Sequence, residues 1–293
     1  MYYLKIAFAI TACALGAAII DTIHAAPRNW NTEAREPFHY EFPKDKALDV
    51  DNINGFIQVI GDSGKTIRVE GERILRAEDQ EAINRAKSDV KLDVNEKDGV
   101  AQLYVNGPFR GNNNHASDDH GFHLHSDDHR YEVTYNFTVH VPHEIALELR
   151  TVNGEIKTAE TRGKFDIHGV NGSVNMTAVA GAGTVRTVNG RTSVAFAEAP
   201  KAPSSFQTVN GAIDAAFPPN LAADIHLKTL NGAAYTDFES TAALPSTAEA
   251  GERKGGRFVF KGNHNSDIRV GAGGPALSFE TLNGNISIKK ETR

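Results

Sequence analysis

Residues 147–190 read LELRTVNGEIKTAETRGKFDIHGVNGSVNMTAVAGAGTVRTVNG and contain the triplet Val-Asn-Gly three times. Successive copies stand 18 residues apart, so the stretch is a structural repeat. Between the copies, apolar and polar residues alternate, with Phe165 and Ile167 on one face and Asp166 and His168 on the other. This period of two is typical of strands with one buried face. The stretch therefore predicts short strands joined by Asn-Gly turns.

The same aliphatic-Asn-Gly theme occurs seven times along the chain. From the copy at Asn153 the spacing is 18, 18, 21 and 21 residues, and then 52. Because Gly accepts positive φ and Asn tolerates it better than most residues, we expect each pair to turn the chain sharply between two extended segments. The predicted turn residues are Asn54, Gly55, Asn153, Gly154, Asn171, Gly172, Asn189, Gly190, Asn210, Gly211, Asn231, Gly232, Asn283 and Gly284.

Each repeat has a second chain-breaking site midway between two Asn-Gly turns, as at residues 161–163 and 180–183. Two all-β architectures fit two strands and two turns per repeat. Asn-Gly is the preferred dipeptide of tight hairpins, which favours an antiparallel meander. A nearly fixed period places identical residues next to one another in successive coils and lets the Asn side chains form a ladder of hydrogen bonds. This favours a single-stranded β-helix, or solenoid. We favour the solenoid, right-handed as parallel crossovers almost always are.

The rest of the chain extends this plan. Residues 78–89 have helical spacing of Ala82, Ile83 and Ala86, and Glu81 stands four residues before Arg85, so we expect one short helix that braces the solenoid. We assign residues 26–46 to an N-terminal lead segment and 47–293 to one β-solenoid domain. Polar, weakly apolar stretches at about 106–130 and 240–256 predict loop insertions.

The beginning of the sequence predicts export. An apolar run from Ile6 to Ile20 after Lys5, followed by Ala25, is typical of a signal peptide over residues 1–25. Cys13 stands in a lipobox-like setting, but the residues after it stay apolar, which argues against a lipid anchor. We expect no transmembrane span after the signal is removed. Cys13 is the only cysteine, so the exported chain has no thiol. The net charge of −6 lacks the excess of basic residues that nucleic-acid binding requires.

Several of these stretches resemble a known family. They are the strand from Tyr131 to Val141, the segment LELRTVNG at 147–154, the further V-N-G copies and the closing TLNGNI at 281–286. They resemble the bacterial "putative adhesin" family of β-strand repeats of unknown function, which is similar to head-GIN autotransporter-like adhesins. The resemblance covers about residues 47–289. It implies an exported β-helical protein of the cell envelope, and it brings no catalytic residues with it.

A cluster of histidines departs from that family pattern. Imidazole and carboxylate together suit zinc, nickel or copper, so the stretch is a candidate site for a divalent transition metal; the alternative is a solvated polar loop. Apart from such a metal we expect no cofactor. The candidate ligands are His115, His120, His123, His125 and His129, which lie among several aspartates.

The function that the sequence favours is structural, adhesive or binding, without catalysis, at a periplasmic, envelope or surface location and with an envelope partner that the sequence does not identify. The alternative is a periplasmic metal- or polysaccharide-binding protein that uses the His/Asp-rich loop. Enzymes on parallel β-helices need carboxylates gathered on one face of adjacent coils. The polar residues of the regular repeats are scattered instead: Glu155, Lys157, Asp166, Arg186, Arg191 and Asp214.

Overall fold

A computed structural model describes residues 30–43, 47–110, 130–243, 252–254, 257–261 and 264–291. The signal peptide assigned to residues 1–25 and the histidines at 115–129 lie outside them. The first part of the chain forms β1 (Thr32–Pro43), β2 (Ala47–Asp51), β3 (Ile57–Asp62), β4 (Thr66–Ala77), α1 (Gln80–Asp89), β5 (Lys91–Lys97), β6 (Val100–Asn106), β7 (Tyr131–Pro142), β8 (Leu147–Asn153), β9 (Ile156–Ala159), β10 (Phe165–Asn171) and β11 (Val174–Val179).

The remaining elements are strands. They are β12 (Gly183–Asn189), β13 (Thr192–Phe196), β14 (Ser204–Asn210), β15 (Ile213–Phe217), β16 (Ala223–Asn231), β17 (Ala233–Thr236), β18 (Ser240–Ala243), β19 (Glu252–Lys254), β20 (Arg257–Lys261), β21 (His264–Val270), β22 (Ala276–Asn283) and β23 (Ile286–Lys290). Within the described ranges, the prediction of an all-β protein with one short helix is therefore confirmed.

The strands form two large sheets. The 12-stranded sheet has the order β1-β4-β7-β3-β9-β11-β13-β15-β23-β17-β20-β19, and the 11-stranded sheet has the order β18-β21-β16-β22-β14-β12-β10-β8-β2-β6-β5. In each sheet the eight central strands are parallel and the outer strands are antiparallel. Among the described residues, the two strands on either side of an Asn-Gly turn lie in different sheets and do not pair with each other, as a hairpin meander would require.

From β6 to β19, successive strands alternate between the two sheets, and equivalent residues stack. Phe165 pairs with Leu147 on one side and with Gly183 on the other, which are the first positions of their repeats. Period-two alternation places one face of each strand between the sheets, as in the alternating buried and half-buried residues of β10. The core is thus a layer between two sheets of repeats.

Phenylalanines fill the middle of this layer. The rings of Phe206 and Phe279 stack at 5.2 Å between centroids, and those of Phe196 and Phe217 stack at 4.8 Å. All four are fully buried. Each such side chain contributes roughly 2–3 kcal/mol by burial, so this column is a main source of stability.

The helix lies beside the first strands of the 12-stranded sheet. It packs against β1, β4 and β7 and buries Ala82, Ile83 and Ala86. Asp79 begins it, because its carboxylate accepts the backbone N–H of Ala82 at 2.8 Å. Its first turn carries Glu81, which pairs with Arg85 at 3.7 Å, as the spacing predicts. The helix thus braces one end of the sheet.

The segment predicted as a loop insertion at about residues 240–256 contains two short strands where the structure describes it. Residues 240–243 and 252–254 are strands β18 and β19, which pair antiparallel with β21 and β20. Edge strands need only backbone pairing on one side, so a segment poor in apolar residues can form them. Of the other predicted insertion, residues 111–129 lie outside the described residues, and Asn106 ends β6.

Candidate functional site: the turn edge

The Asn-Gly copies lie side by side along one edge of the molecule, which we call the turn edge and define by the seven Asn-Gly pairs and the aliphatic residue before each. Every Asn side chain from Asn153 onward donates from Nδ2 to the Oδ1 of its neighbour, at 2.7–2.9 Å. All six bonds run in the same direction. The order along the ladder is Asn54, Asn153, Asn171, Asn189, Asn210, Asn283 and Asn231.

The glycines of the turn edge are needed for a reason that differs from the predicted one. Gly55 has a φ of 111°, but the other six do not adopt the left-handed conformation. In these six, a Cβ atom would meet the carbonyl oxygen of the stacked glycine next to it, as Gly190 would meet Gly172. Close approach of neighbouring backbones therefore requires Gly there, and the expectation of positive φ at every turn is wrong. Positive φ is needed at Asn-Gly in a two-residue hairpin, and the strands on the two sides of these turns do not form a hairpin.

A threonine two positions before the Asn completes most turns, and sequence reasoning missed it. The hydroxyl of Thr208 donates to the carbonyl oxygen of Gly190 at 3.2 Å, and that of Thr281 donates to Gly211 at 2.9 Å. At the first turn, Asn52 takes this place and donates from Nδ2 to the Gly55 oxygen at 3.2 Å. The signal was the recurrence of Thr in T-V-N-G and T-L-N-G, at Thr151, Thr187, Thr208, Thr229 and Thr281.

The aliphatic residues on the two sides of most Asn-Gly pairs have opposite environments. Those that follow, such as Ile156, Val174 and Ile213, are fully buried. Those that precede are exposed at five of the seven turns, whereas Ile53 is buried and Val152 half-buried. Five consecutive rungs expose such a side chain: Val170 (38%), Val188 (39%), Val209 (39%), Leu282 (42%) and Leu230 (46%). The exposed row runs beside the Asn ladder for about 19 Å, at the usual strand spacing of about 4.8 Å.

The outer face of the 11-stranded sheet carries a polar cleft of about 190 Å³. Arg110 pairs with Asp51 at 2.7 Å, and its guanidinium lies 4.1 Å from the ring centre of Tyr104. Arg150 pairs with Asp49 at 2.9 Å, and burial raises the pKa of Asp49 above its ordinary value. The charges of the cleft are largely satisfied by one another.

The polar residues weighed for catalysis form surface ion pairs. Glu155 pairs with Lys157 at 2.7 Å, and Arg191 pairs with Asp214 at 3.6 Å. Asp166 accepts from His168 and lies 4.0 Å from Arg186. The hydrogen bond from Lys157 lowers the pKa of Glu155, with help from Ser173 and Asn175, which keeps that carboxylate ionised. A general acid needs the opposite shift.

The predicted metal ligands lie outside the described residues. In the part of the chain that the structure does describe, no three His, Cys, Asp or Glu side chains are grouped as a metal site would require. No helix within the same ranges is both long and apolar enough to cross a membrane.

Comparison with known proteins gives a weak structural likeness. No protein-family model matches the chain, and no curated protein matches it. A crystal structure of a putative cell adhesion protein from Clostridium sporogenes is similar with a TM-score of 0.37 and 10% identity, over 89% of this chain and 100% of that one. A putative adhesin from Bacteroides fragilis has a TM-score of 0.39 and 11% identity, over 88% and 97%. A putative lipid binding protein from Parabacteroides distasonis has a TM-score of 0.26 and 12% identity, over 87% of this chain and 97% of that one.

The names of the first two structures agree with the family that the sequence resembles. At these TM-scores the likeness supports no conclusion about what this chain binds.

Proposed function

We propose that the protein is an exported β-repeat protein of the cell envelope that binds an extended partner along its turn edge, without catalysis. One observation carries the proposal: five consecutive rungs present an aliphatic side chain to solvent beside an unbroken ladder of amides. Scattered surface hydrophobes need no explanation, but a contiguous apolar patch is typical of an interaction site.

We also propose that the two sheets are the faces of a single-stranded, right-handed β-helix. Support comes from the in-register parallel pairing of β8, β10, β12 and β14 in one sheet and of β9, β11, β13 and β15 in the other. Each coil contributes one strand to each sheet. The nearly universal handedness of parallel crossovers supports the right-handed form.

The chemistry of the turn edge suits an extended polysaccharide. Within the ladder each Asn amide uses one N–H and one lone pair, so a second N–H and a second lone pair remain for a ligand. Sugar rings offer hydroxyls to such amides and C–H faces to aliphatic side chains. The rungs recur at strand spacing, so a chain of repeating units can make the same contacts several times, and weak contacts then add through multivalency.

Cosedimentation with insoluble polysaccharides tests this proposal. We expect the protein to sediment with at least one of peptidoglycan sacculi, chitin or cellulose. The double variant Val188→Lys, Val209→Lys places two charges on the exposed row, and we expect it to lose binding while its thermal midpoint stays within a few degrees. The matched control is Thr177→Lys, an exposed residue of β11 that is not part of the turn edge. The proposal fails if none of the three polymers binds, or if the row variant binds like the control.

The alternative function, transition-metal binding by His115, His120, His123, His125 and His129, stays a prediction from the sequence. Five of the twelve histidines in one short stretch favour it. Calorimetric titration with zinc, nickel and copper tests it. Stoichiometric micromolar binding that is lost when the five histidines become Ala would support metal binding, and equal heats for both proteins would exclude it.

A further inference from the structure

A cavity of about 330 Å³ lies where the first strands of the two sheets face each other. β1 is the end strand of the 12-stranded sheet, and β5 is the end strand of the 11-stranded sheet. The cavity is lined by Glu36, Pro37, Phe38 and Tyr40 of β1, Arg73 of β4, Lys91 and Leu92 of β5 and Tyr135 of β7. We call this space the end cavity. Its size falls at the lower end of the range of small-molecule sites.

The apolar part of the end cavity is an aromatic cluster that the protein leaves partly open. The ring of Phe38 lies 6.0 Å from that of Tyr40 and 6.0 Å from that of Tyr135, tilted in both cases. Phe38, Tyr40 and Leu92 pack against the core but stay only partly buried. An apolar body that enters between β1 and β5 would bury the surface that remains exposed on them.

The charged part of the end cavity has a surplus of positive charge. Arg73 donates from Nε to Glu36 at 2.8 Å, and Lys87 pairs with the other oxygen of the same carboxylate at 2.7 Å. Two cations thus share one anion. Lys91 adds a third cation, and within the described residues no ion pair involves it. A ligand with a negative head would complement this surplus.

We propose that the end cavity binds a small amphipathic anion, with its apolar body against Phe38, Tyr40 and Leu92 and its head near Arg73 and Lys91. The first rung of the turn edge borders the site, because Tyr135 donates its backbone N–H to the carbonyl oxygen of Asn54 at 2.8 Å. The proposal uses none of the five exposed aliphatic rungs, so it does not depend on polysaccharide binding there. A ring-shaped and an acyl ligand share this chemistry. The protein would then bind a polymer at the turn edge and a small anion in the end cavity.

Calorimetric titration of the purified protein distinguishes the two ligand shapes. The probes are 1-naphthalenesulfonate for a ring and decanoate for an acyl chain, each compared with its neutral counterpart, 1-naphthalenemethanol or decanol. We expect one anion to bind with one-to-one stoichiometry. Its neutral counterpart should bind at least about fivefold more weakly, because it loses one charge–charge contact in surroundings of intermediate dielectric constant. Failure of both anions to bind saturably would overturn the proposal.

Two variants locate the binding. Leu92→Glu puts a negative charge into the apolar lining, and Lys91→Glu reverses the charge beside it; both side chains are at least partly exposed, so the fold should survive. We expect each to weaken the binding of the anion by at least about fivefold. Lys97→Glu, at the other end of the same strand, is the matched control and should bind like the unaltered protein. Equal affinity in Lys91→Glu and Lys97→Glu, or full affinity in Leu92→Glu, would overturn the assignment.

Discussion

Asn283 donates its side-chain amide to Asn210 at 2.7 Å, although 73 residues separate them in the chain. Asn231, which follows Asn210 in the sequence, donates to Asn283 and not to Asn210. The backbone agrees, because β22 pairs with both β14 and β16, and β23 pairs with both β15 and β17. The last repeat of the chain is therefore inserted between two earlier ones.

This insertion predicts that the end of the chain is essential for stability. Deletion of residues 276–293 removes β22 and β23 from the middle of both sheets, takes Phe279 from the aromatic column and leaves β14 and β16 without a common neighbour. We expect loss of the cooperative thermal transition, measured by circular dichroism. Deletion of residues 292–293 alone is the control. A transition within a few degrees of the intact protein would contradict the inserted order.

The stacked glycines predict a strong dependence on side-chain size. In Gly190→Ala the new Cβ would lie 1.9 Å from the carbonyl oxygen of Gly172, a backbone atom that cannot move alone. We expect a loss of at least about 3 kcal/mol, or failure to fold, since overpacking against backbone costs more than against side chains. Denaturant unfolding measures it. Near-normal stability of Gly190→Ala would show that the rungs are not closely stacked.

The sequence predicted the pattern of the turn edge but not its order. Identical motifs stack equally well in any spatial order. Nothing in Leu282-Asn283-Gly284 therefore tells whether this rung lies before or after the rung of Leu230 in the sheet. The core positions and the helix could be predicted because periodicity reports burial. The end cavity could not, since Phe38, Arg73, Leu92 and Tyr135 are brought together only by strand order. The exposure of the aliphatic row could not be predicted either, because a period of two does not say which face is outside.

The turn at Asn171 has neither the threonine of the later turns nor the Asn52 of the first one, which predicts a stabilising substitution. Gly169 occupies the position of Thr187 and Thr208 in the neighbouring repeats. A Cβ at Gly169 would meet nothing closer than 3.4 Å, so the side chain has room. By analogy with Thr208, the hydroxyl of Gly169→Thr would donate to the carbonyl oxygen of Gly154.

We expect Gly169→Thr to stabilise the protein by about 1 kcal/mol, from one net hydrogen bond and from the removal of a flexible Gly in a strand. Chemical denaturation of Gly169→Thr and Gly169→Ala separates the two contributions. A threonine variant less stable than the alanine variant would show that the hydroxyl finds no acceptor there.

The carboxylate of Glu36 predicts how stability depends on pH. The hydrogen bond from Lys87, followed by that from Arg73, lowers the pKa of Glu36 below its ordinary value of 4.5. A carboxylate with a lowered pKa in the folded state contributes stability above its unfolded pKa and loses it as the pH falls through the folded pKa. We therefore expect the pair of contacts to stabilise the fold fully at pH 6 and progressively less below about pH 4.5.

The variant Glu36→Gln isolates this contribution, because it keeps the size of the side chain and cannot titrate. Its thermal midpoint should lie below that of the unaltered protein at pH 6, and the two midpoints should converge toward pH 3. The carboxylate is one-third exposed, which limits the difference through solvent screening. Other acids that titrate in this range, such as Glu155, are common to both proteins and cancel in the comparison. A constant difference from pH 6 to pH 3 would mean that the two cations do not act on Glu36 as an ionised partner.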